Sequence, residues 1–206
     1  MPEPKRSIGG RSARGLLPAA ADVEMSANLI VISGPSGTGK STLARALQEA
    51  LLPDVWLHFS FDSILYCLPQ SIIDRANREN DWSSIDSKLI VGSAYACAKT
   101  LLNAGHRIVF DCVIVNEKGA RSLLDAFQQF RPILVGLSCS WEETKRRTLA
   151  RGDRTLEEAQ HGFRNAGPHL EHDHMFETTA TSPAVIANQL AEHLRARASS
   201  AGGDEA

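Results

Sequence analysis

From residue 29 onward, short apolar runs alternate with segments whose apolar positions recur every three or four residues. Leu29-Ile30-Val31-Ile32 is a continuous apolar run, the pattern of a strand covered on both faces. A helical pattern follows through Leu43, Ala44, Leu47 and Leu51, and Pro53 ends it. Val55-Trp56-Leu57-His58-Phe59 predicts a second strand. A helix is expected within 83–103, with Ala94, Ala98, Leu101 and Leu102 on its apolar side and Gly105 as its C-terminal cap. Residues 107–111 predict a third strand, 117–130 a helix and 132–138 a fourth strand. Next come a helix over 141–151 with a strongly basic side, a short helix over 155–164 and a fifth strand within 175–179. The closing helix starts with Ser182 as N-cap and Pro183 at its first position, and its stripe is Val185, Ile186, Leu190 and Leu194. Strands alternating with helices predict parallel βαβ units with right-handed crossovers. The expected architecture is a three-layer, doubly wound α/β domain with a parallel sheet of about five strands. It should occupy residues 28–197, with a polar lid at about 151–175. Residues 1–27 read as a disordered extension rich in Gly, Pro, Ala and Arg, and 198–206 as a flexible tail. Met25 stands just before the first strand, so translation from Met1 and from Met25 are both open.

Between the first strand and the first helix lies Gly34-Pro35-Ser36-Gly37-Thr38-Gly39-Lys40-Ser41, followed by Thr42. This fits GxxxxGK[ST] in the strand–loop–helix setting that gives the motif its meaning. The glycines let the backbone wrap a phosphate and aim N–H groups at it. The helix adds the positive end of its dipole. Lys40 suits the β- and γ-phosphates of ATP, and the Ser41 hydroxyl suits Mg²⁺. The motif does not say where the phosphate goes.

Two acids follow strands, which places them at the same sheet edge as the loop, where open α/β sheets bind ligands. Asp62 suits a general base for an attacking hydroxyl. Position alone equally allows Asp62 or Ser63 to cap a short helix through Ile64 and Leu65. Asp111 suits the carboxylate that holds Mg²⁺ beside Ser41. Lys145, Arg146, Arg147, Arg151 and Arg154 form a basic group. Arg147 and Arg151 share a helix face, and Arg151 and Arg154 are expected to meet charge on the transferred phosphoryl group from the lid. The alternative is a solvated basic face paired with Glu142 and Glu143. Trp56, Phe59, Phe61 and Tyr66 surround Asp62 and are expected to be part core and part wall of an apolar acceptor pocket. His58 and His106 read as structural or exposed. His169, His172 and His174 fall in a loop near the lid, without the Cys or Glu partners a metal site wants.

Composition narrows the classes. The chain has 206 residues, 22 Lys+Arg against 24 Asp+Glu, and a net charge of −2. That balance argues against a dedicated nucleic-acid binder. Cys67, Cys97, Cys112 and Cys139 are widely spaced with no CxxC, so buried reduced thiols are expected rather than disulfides or a zinc site. No stretch approaches the ~20 apolar residues a membrane span needs, and the N-terminus lacks the apolar run of a secretory signal. A cytoplasmic protein is expected, with a small-molecule hydroxyl acceptor as partner and an oligomeric state left open.

With these segments placed, the chain resembles the chloramphenicol phosphotransferase family, small P-loop kinases of the adenylate- and shikimate-kinase type. The resemblance runs from about Leu29 to Leu194. Leu52-Pro53-Asp54-Val55-Trp56-Leu57-His58-Phe59-Ser60-Phe61-Asp62-Ser63 is similar to the family's Leu-Pro, Trp-Leu, Phe and Asp-Ser pattern, in which the aspartate is the catalytic base. This implies that role for Asp62. Pro69, the Ala104–Asp111 segment, Val135–Cys139, the Ala150–Arg154 lid segment and Thr178-Thr179 match further family features. Cys112 stands where the family often has a second acid, His172-Asp173 where it has Tyr-Asp, and 70–86 does not align. The resemblance implies an ATP- and Mg²⁺-dependent kinase that phosphorylates the primary hydroxyl of chloramphenicol and so confers resistance. Other small-molecule kinases, a zeta-toxin-like kinase of nucleotide sugars, and a nucleotide-binding switch without transfer remain open.

Overall fold

A computed structural model describes residues 27–79, 81–152, 156–165 and 169–201. Five parallel strands form the sheet: β1 (Leu29–Ser33), β2 (Trp56–Ser60), β3 (Arg107–Cys112), β4 (Ile133–Ser138) and β5 (His174–Glu177). Their spatial order is β2-β3-β1-β4-β5. In register, Ile32 lies beside Asp111, and Asp111 beside Ser60. The chain reverses its winding direction beside β1, so the crevice at the carboxyl edge opens there.

The continuous apolar run of β1 has its physical reason in the layers. Ile30 and Ile32 face α1 (Lys40–Ala50) and α8 (Pro183–Ala201), packing with Leu43, Leu47, Ile186 and Leu190. Leu29 and Val31 face α4 (Ser87–Asn103) and α5 (Glu117–Phe127), packing with Ala94, Ala98, Phe110, Leu123 and Phe127. Fully burying a side chain of this size contributes about 1.5–3 kcal/mol, which is why a central strand tolerates no polar residue until its end. A single 3₁₀ turn, Gln128–Phe130, follows α5.

Several boundaries differ from expectation. A helix, α3 (Gln70–Glu79), occupies the polar stretch that no pattern assigned. It buries Ile73 and Ala76, which with the half-buried Ile72 form one short apolar stripe in an otherwise polar stretch. Helix α4 falls within the expected 83–103 stretch and starts at Ser87, because the Asp86 carboxylate accepts from the N–H groups of Lys88 and Leu89 at 3.0 Å. In α8 the Ser182 hydroxyl accepts from Val185 N as expected. Val185 itself is exposed, and Ala187 and Ala191 complete the buried stripe. This helix runs to Ala201, past residue 198, where the tail was expected to start. Cys112 and Cys139 are buried, whereas Cys67 and Cys97 are exposed, contrary to the expectation of four buried thiols. Among the described residues no helix is long and apolar enough to cross a membrane.

Candidate active site

The loop from Gly34 to Gly39 wraps the N-terminus of α1. A side chain at Gly34 would bring its Cβ within 2.4 Å of the Leu137 carbonyl oxygen, so only glycine lets the loop lie this close to β4. Gly39, at φ 91°, is the N-cap of α1 and turns the chain into the helix. The Pro35 carbonyl accepts from Thr38 Oγ1 at 2.9 Å and from Lys40 Nζ at 2.9 Å. Lys40 is therefore held with its ammonium at the loop and is 8% exposed.

The outer side of the loop is pinned from β4 and β5. The Thr178 hydroxyl stands 2.9 Å from the Thr38 carbonyl and 3.0 Å from the Ser138 carbonyl, within donating distance of both. Arg147, on α6 (Trp141–Arg151), donates to the Thr178 carbonyl at 2.7 Å and to the Gly37 carbonyl at 3.4 Å. Glu143 accepts from Arg146 and Arg147 at 2.7 and 2.8 Å. These hydrogen bonds hold the Glu143 carboxyl down at about 2. Arg147 and Arg151, expected on one face, divide their work: Arg147 grips the loop, and Arg151 lines the cleft. The bare choice between a functional and a solvated basic face missed this division. Arg154 lies outside the described residues.

On the other side of the loop is a polar cavity of about 340 Å³. Lys40, Ser41, Asp62, Asp111 and Arg151 all line it, with Thr42, Ser36, Gly37 and Gly39. The structure thus brings together the lysine, the serine, both acids and one of the two lid arginines that the sequence singled out. Asp62 sits inside the first turn of the short helix α2 (Phe61–Leu65). Ser60 is the residue that caps this helix, and its N–H donates to the Ser63 hydroxyl at 3.1 Å. The capping role considered for Asp62 is therefore filled one position before the helix, by Ser60.

Asp111 is buried at the end of β3, and its Oδ2 lies 2.7 Å from His58 Nε2 on β2. Burial pushes the Asp111 carboxyl up, but hydrogen bonds from His58 and Ser41 and the charges of His58 and Lys40 outweigh it, so the group is held below the usual carboxylate range. His58, read from sequence as structural or exposed, is thus the partner of a cleft acid. The available signal was its strand phase, since His58 and Ser60 share the face of β2 that reaches Asp111. Next door, burial pushes the Cys112 thiol up to about 12, so this position carries no second negative charge.

The aromatics around Asp62 divide between wall and core. Phe61 and Tyr66 line the cleft. Trp56 is buried in the core among α1 and α8, and Phe59 packs with Phe110 beneath the sheet edge. The histidines separate: His172 Nε2 lies 2.6 Å from Ser33 Oγ, and His174 packs edge-on against His193. Asp173 continues the strand pairing of β5, exchanging hydrogen bonds with the Leu134 backbone. Among the described residues no group of three or more His, Cys, Asp or Glu is placed to hold a metal ion.

A five-stranded parallel sheet, a phosphate loop after its central strand and a cleft with paired acids define a P-loop kinase. More particularly, the chain belongs to the chloramphenicol phosphotransferase-like family, whose model matches residues 27–195. It is similar to a Mycobacterium tuberculosis protein named as a candidate O-phosphotransferase, at 30% identity over 186 residues covering 82% of each chain. A gluconokinase from Sinorhizobium meliloti shares the fold at a TM-score of 0.59 and 19% identity, covering 85% of this chain and 96% of that one. The APS kinase of M. tuberculosis, solved with AMPPNP and APS, shares it at a TM-score of 0.57 and 16% identity, covering 81% and 98%. The chain is accordingly a kinase, an O-phosphotransferase of the P-loop type.

Proposed function

We propose that the enzyme transfers the γ-phosphoryl group of ATP to an alcohol hydroxyl of a small organic molecule, with the primary hydroxyl of chloramphenicol the first acceptor to test. The observation that carries this reading is Asp62: a carboxylate in the same cavity as Lys40, Ser41, Asp111 and Arg151. A nucleotide-binding switch needs no such group.

The residues fit Mg²⁺: an ionised Asp111 hydrogen-bonded to the Ser41 hydroxyl offers the oxygen donors a hard cation takes. Ser41 and Asp111 would hold the ion, which when bound supplies charge neutralisation between the β- and γ-phosphates. His58 keeps the Asp111 carboxylate turned toward that position. The loop amides and Lys40 hold the phosphates in line. Asp62 accepts the acceptor's hydroxyl proton as its oxygen bonds to the γ-phosphorus and the bond from that phosphorus to the bridging oxygen of ADP breaks. Arg151, and by extension Arg154, neutralise the charge that spreads over the phosphoryl oxygens. Residues between Arg151 and β5 exclude water as a lid, and the reaction runs in the cytoplasm, where ATP is available.

The test is a product assay. With ATP, Mg²⁺ and chloramphenicol, mass spectrometry is expected to find the mono-phosphorylated drug. ADP formed only with another hydroxyl compound would replace the acceptor and keep the kinase. If Asp62→Asn transferred phosphate at the wild-type rate, the mechanism would fail.

A further inference from the structure

Asp62 rides on α2, a helix of five residues, none of them buried. So short a helix does not hold itself together in water, so contacts outside it fix where the carboxylate points. Two sets of contacts are present. Phe61 and Ile64, three positions apart on one face, pack against the core between α4 and β3. The Phe61 ring meets Phe110 edge-on with centroids 5.4 Å apart and Tyr95 with centroids 5.6 Å apart. These contacts attach the helix, but apolar burial is non-directional and does not by itself set the roll of the helix about its axis.

The second contact is directional. The Ser63 hydroxyl accepts from the Ser60 N–H at 3.1 Å and stands 3.4 Å from the Ser60 hydroxyl, in the reciprocal pattern of a capping box. Ser60 is the last residue of β2 and is buried beside Asp111 in the sheet register. The bond therefore ties the first turn of α2 to the rigid edge of the sheet, at the residue immediately after Asp62. Ser60, Phe61, Asp62 and Tyr66 line the polar cavity, and Ser63 does not. We infer that Ser63 is a positioning residue for phosphoryl transfer: without touching either substrate, it aims the Asp62 carboxylate by tying α2 to the end of β2. This rests on the general-base reading of Asp62 and adds the group that directs it. Aim matters to rate because the base must lie within hydrogen-bond reach of the attacking hydroxyl, and a misplacement of about 1 Å can cost about 10²-fold.

Two measurements on the full chain test it. The first is a double-mutant cycle in steady-state kinetics, with chloramphenicol or the hydroxyl compound that the product assay identifies as acceptor. Ser63 is exposed, so Ser63→Ala leaves no cavity. It is expected to lower kcat about tenfold or more, with KM for ATP within about twofold. Ser63→Thr keeps the hydroxyl and should recover most of the rate. In the Asp62→Asn background Ser63→Ala should change kcat less than about twofold, because no base is left to aim. An equal fall in both backgrounds would overturn the inference, as would no fall in the wild type or no recovery by Ser63→Thr. The second measurement is hydrogen exchange. The Ser60 amide is expected to exchange faster in Ser63→Ala, while amides of α6 and of α7 (Leu156–Asn165), which packs on it through Trp141 and Phe163, keep their rates. Unchanged exchange at Ser60 would remove the tie and the inference with it. The two readings fail separately. Asp62→Asn at the wild-type rate removes the general base itself, whereas a slow Asp62→Asn beside an unimpaired Ser63→Ala removes only the role of Ser63.

Discussion

The two flanks of the phosphate loop are built differently. On the β4–β5 flank, Thr178, Arg147 and the close approach of Gly34 to Leu137 fix the loop backbone through buried hydrogen bonds and contacts. On the β2 flank, Asp62 is exposed on the five-residue helix α2, next to α3 with only two buried residues. The first flank is a frame that holds the phosphate loop. The second carries the proposed general base and rests on short elements with little core. Small elements can be rearranged at low cost in stability, so a change of acceptor is easier to accommodate there than a change of donor.

Substitutions can break that contrast. The largest effect is expected from Asp62→Asn: a fall in kcat of about 10²–10⁴-fold with nucleotide binding retained. Thermal unfolding should barely move, since the side chain is exposed. Calorimetry and steady-state assays together check this, and a large loss of Tm would place Asp62 in the frame instead. Thr178→Val keeps the shape but removes the hydroxyl that serves the Thr38 and Ser138 carbonyls. It is expected to destabilise by about 1–3 kcal/mol, the cost of a buried group left without its partner, and to raise KM for ATP. Urea unfolding and ATP titration measure the two parts.

Asp86→Ala removes the N-cap of α4, outside the lining of the polar cavity, and should cost about 1 kcal/mol with kcat unchanged. The smallest effect concerns pH. The Asp111 carboxyl is held below its unfolded value, so its contribution to stability is complete above the ordinary carboxylate pKa and is lost as pH falls through its lowered folded value. Unfolding followed from pH 6 down to pH 3 should show a steeper loss for the wild type than for Asp111→Asn. Equal slopes would mean that His58 and Ser41 do not hold that charge.

How legible each flank was in the sequence follows from the same contrast. The strand, loop and helix around Lys40 are contiguous, so one motif specifies them. The cleft residues Asp62 and Asp111 could be found because each lies at the carboxyl end of a recognisable strand, Asp62 two residues past β2 and Asp111 within β3. Helix α3 was missed because its apolar stripe, Ile72, Ile73 and Ala76, is short and set among polar residues. The role of Arg147 was hidden because its partners, Gly37 and Thr178, are 110 and 31 residues away. Trp56 shares a face with His58 and Ser60 but lies at the amino end of β2, beside Arg107 rather than Asp111, and so belongs to the core part of the aromatic group. Strand phase gives the face of His58, but its pairing with Asp111 needed the register of β2 against β3, which only the folded sheet supplies.

The Pro35 carbonyl has a further consequence. It accepts from Lys40 Nζ and also from the Thr38 hydroxyl, each at 2.9 Å. When the ammonium turns to an arriving phosphate, the carbonyl still has Thr38 as donor, so no buried acceptor is stranded. Lys40 can be handed from protein to substrate as an exchange of partners, with the loop backbone standing still.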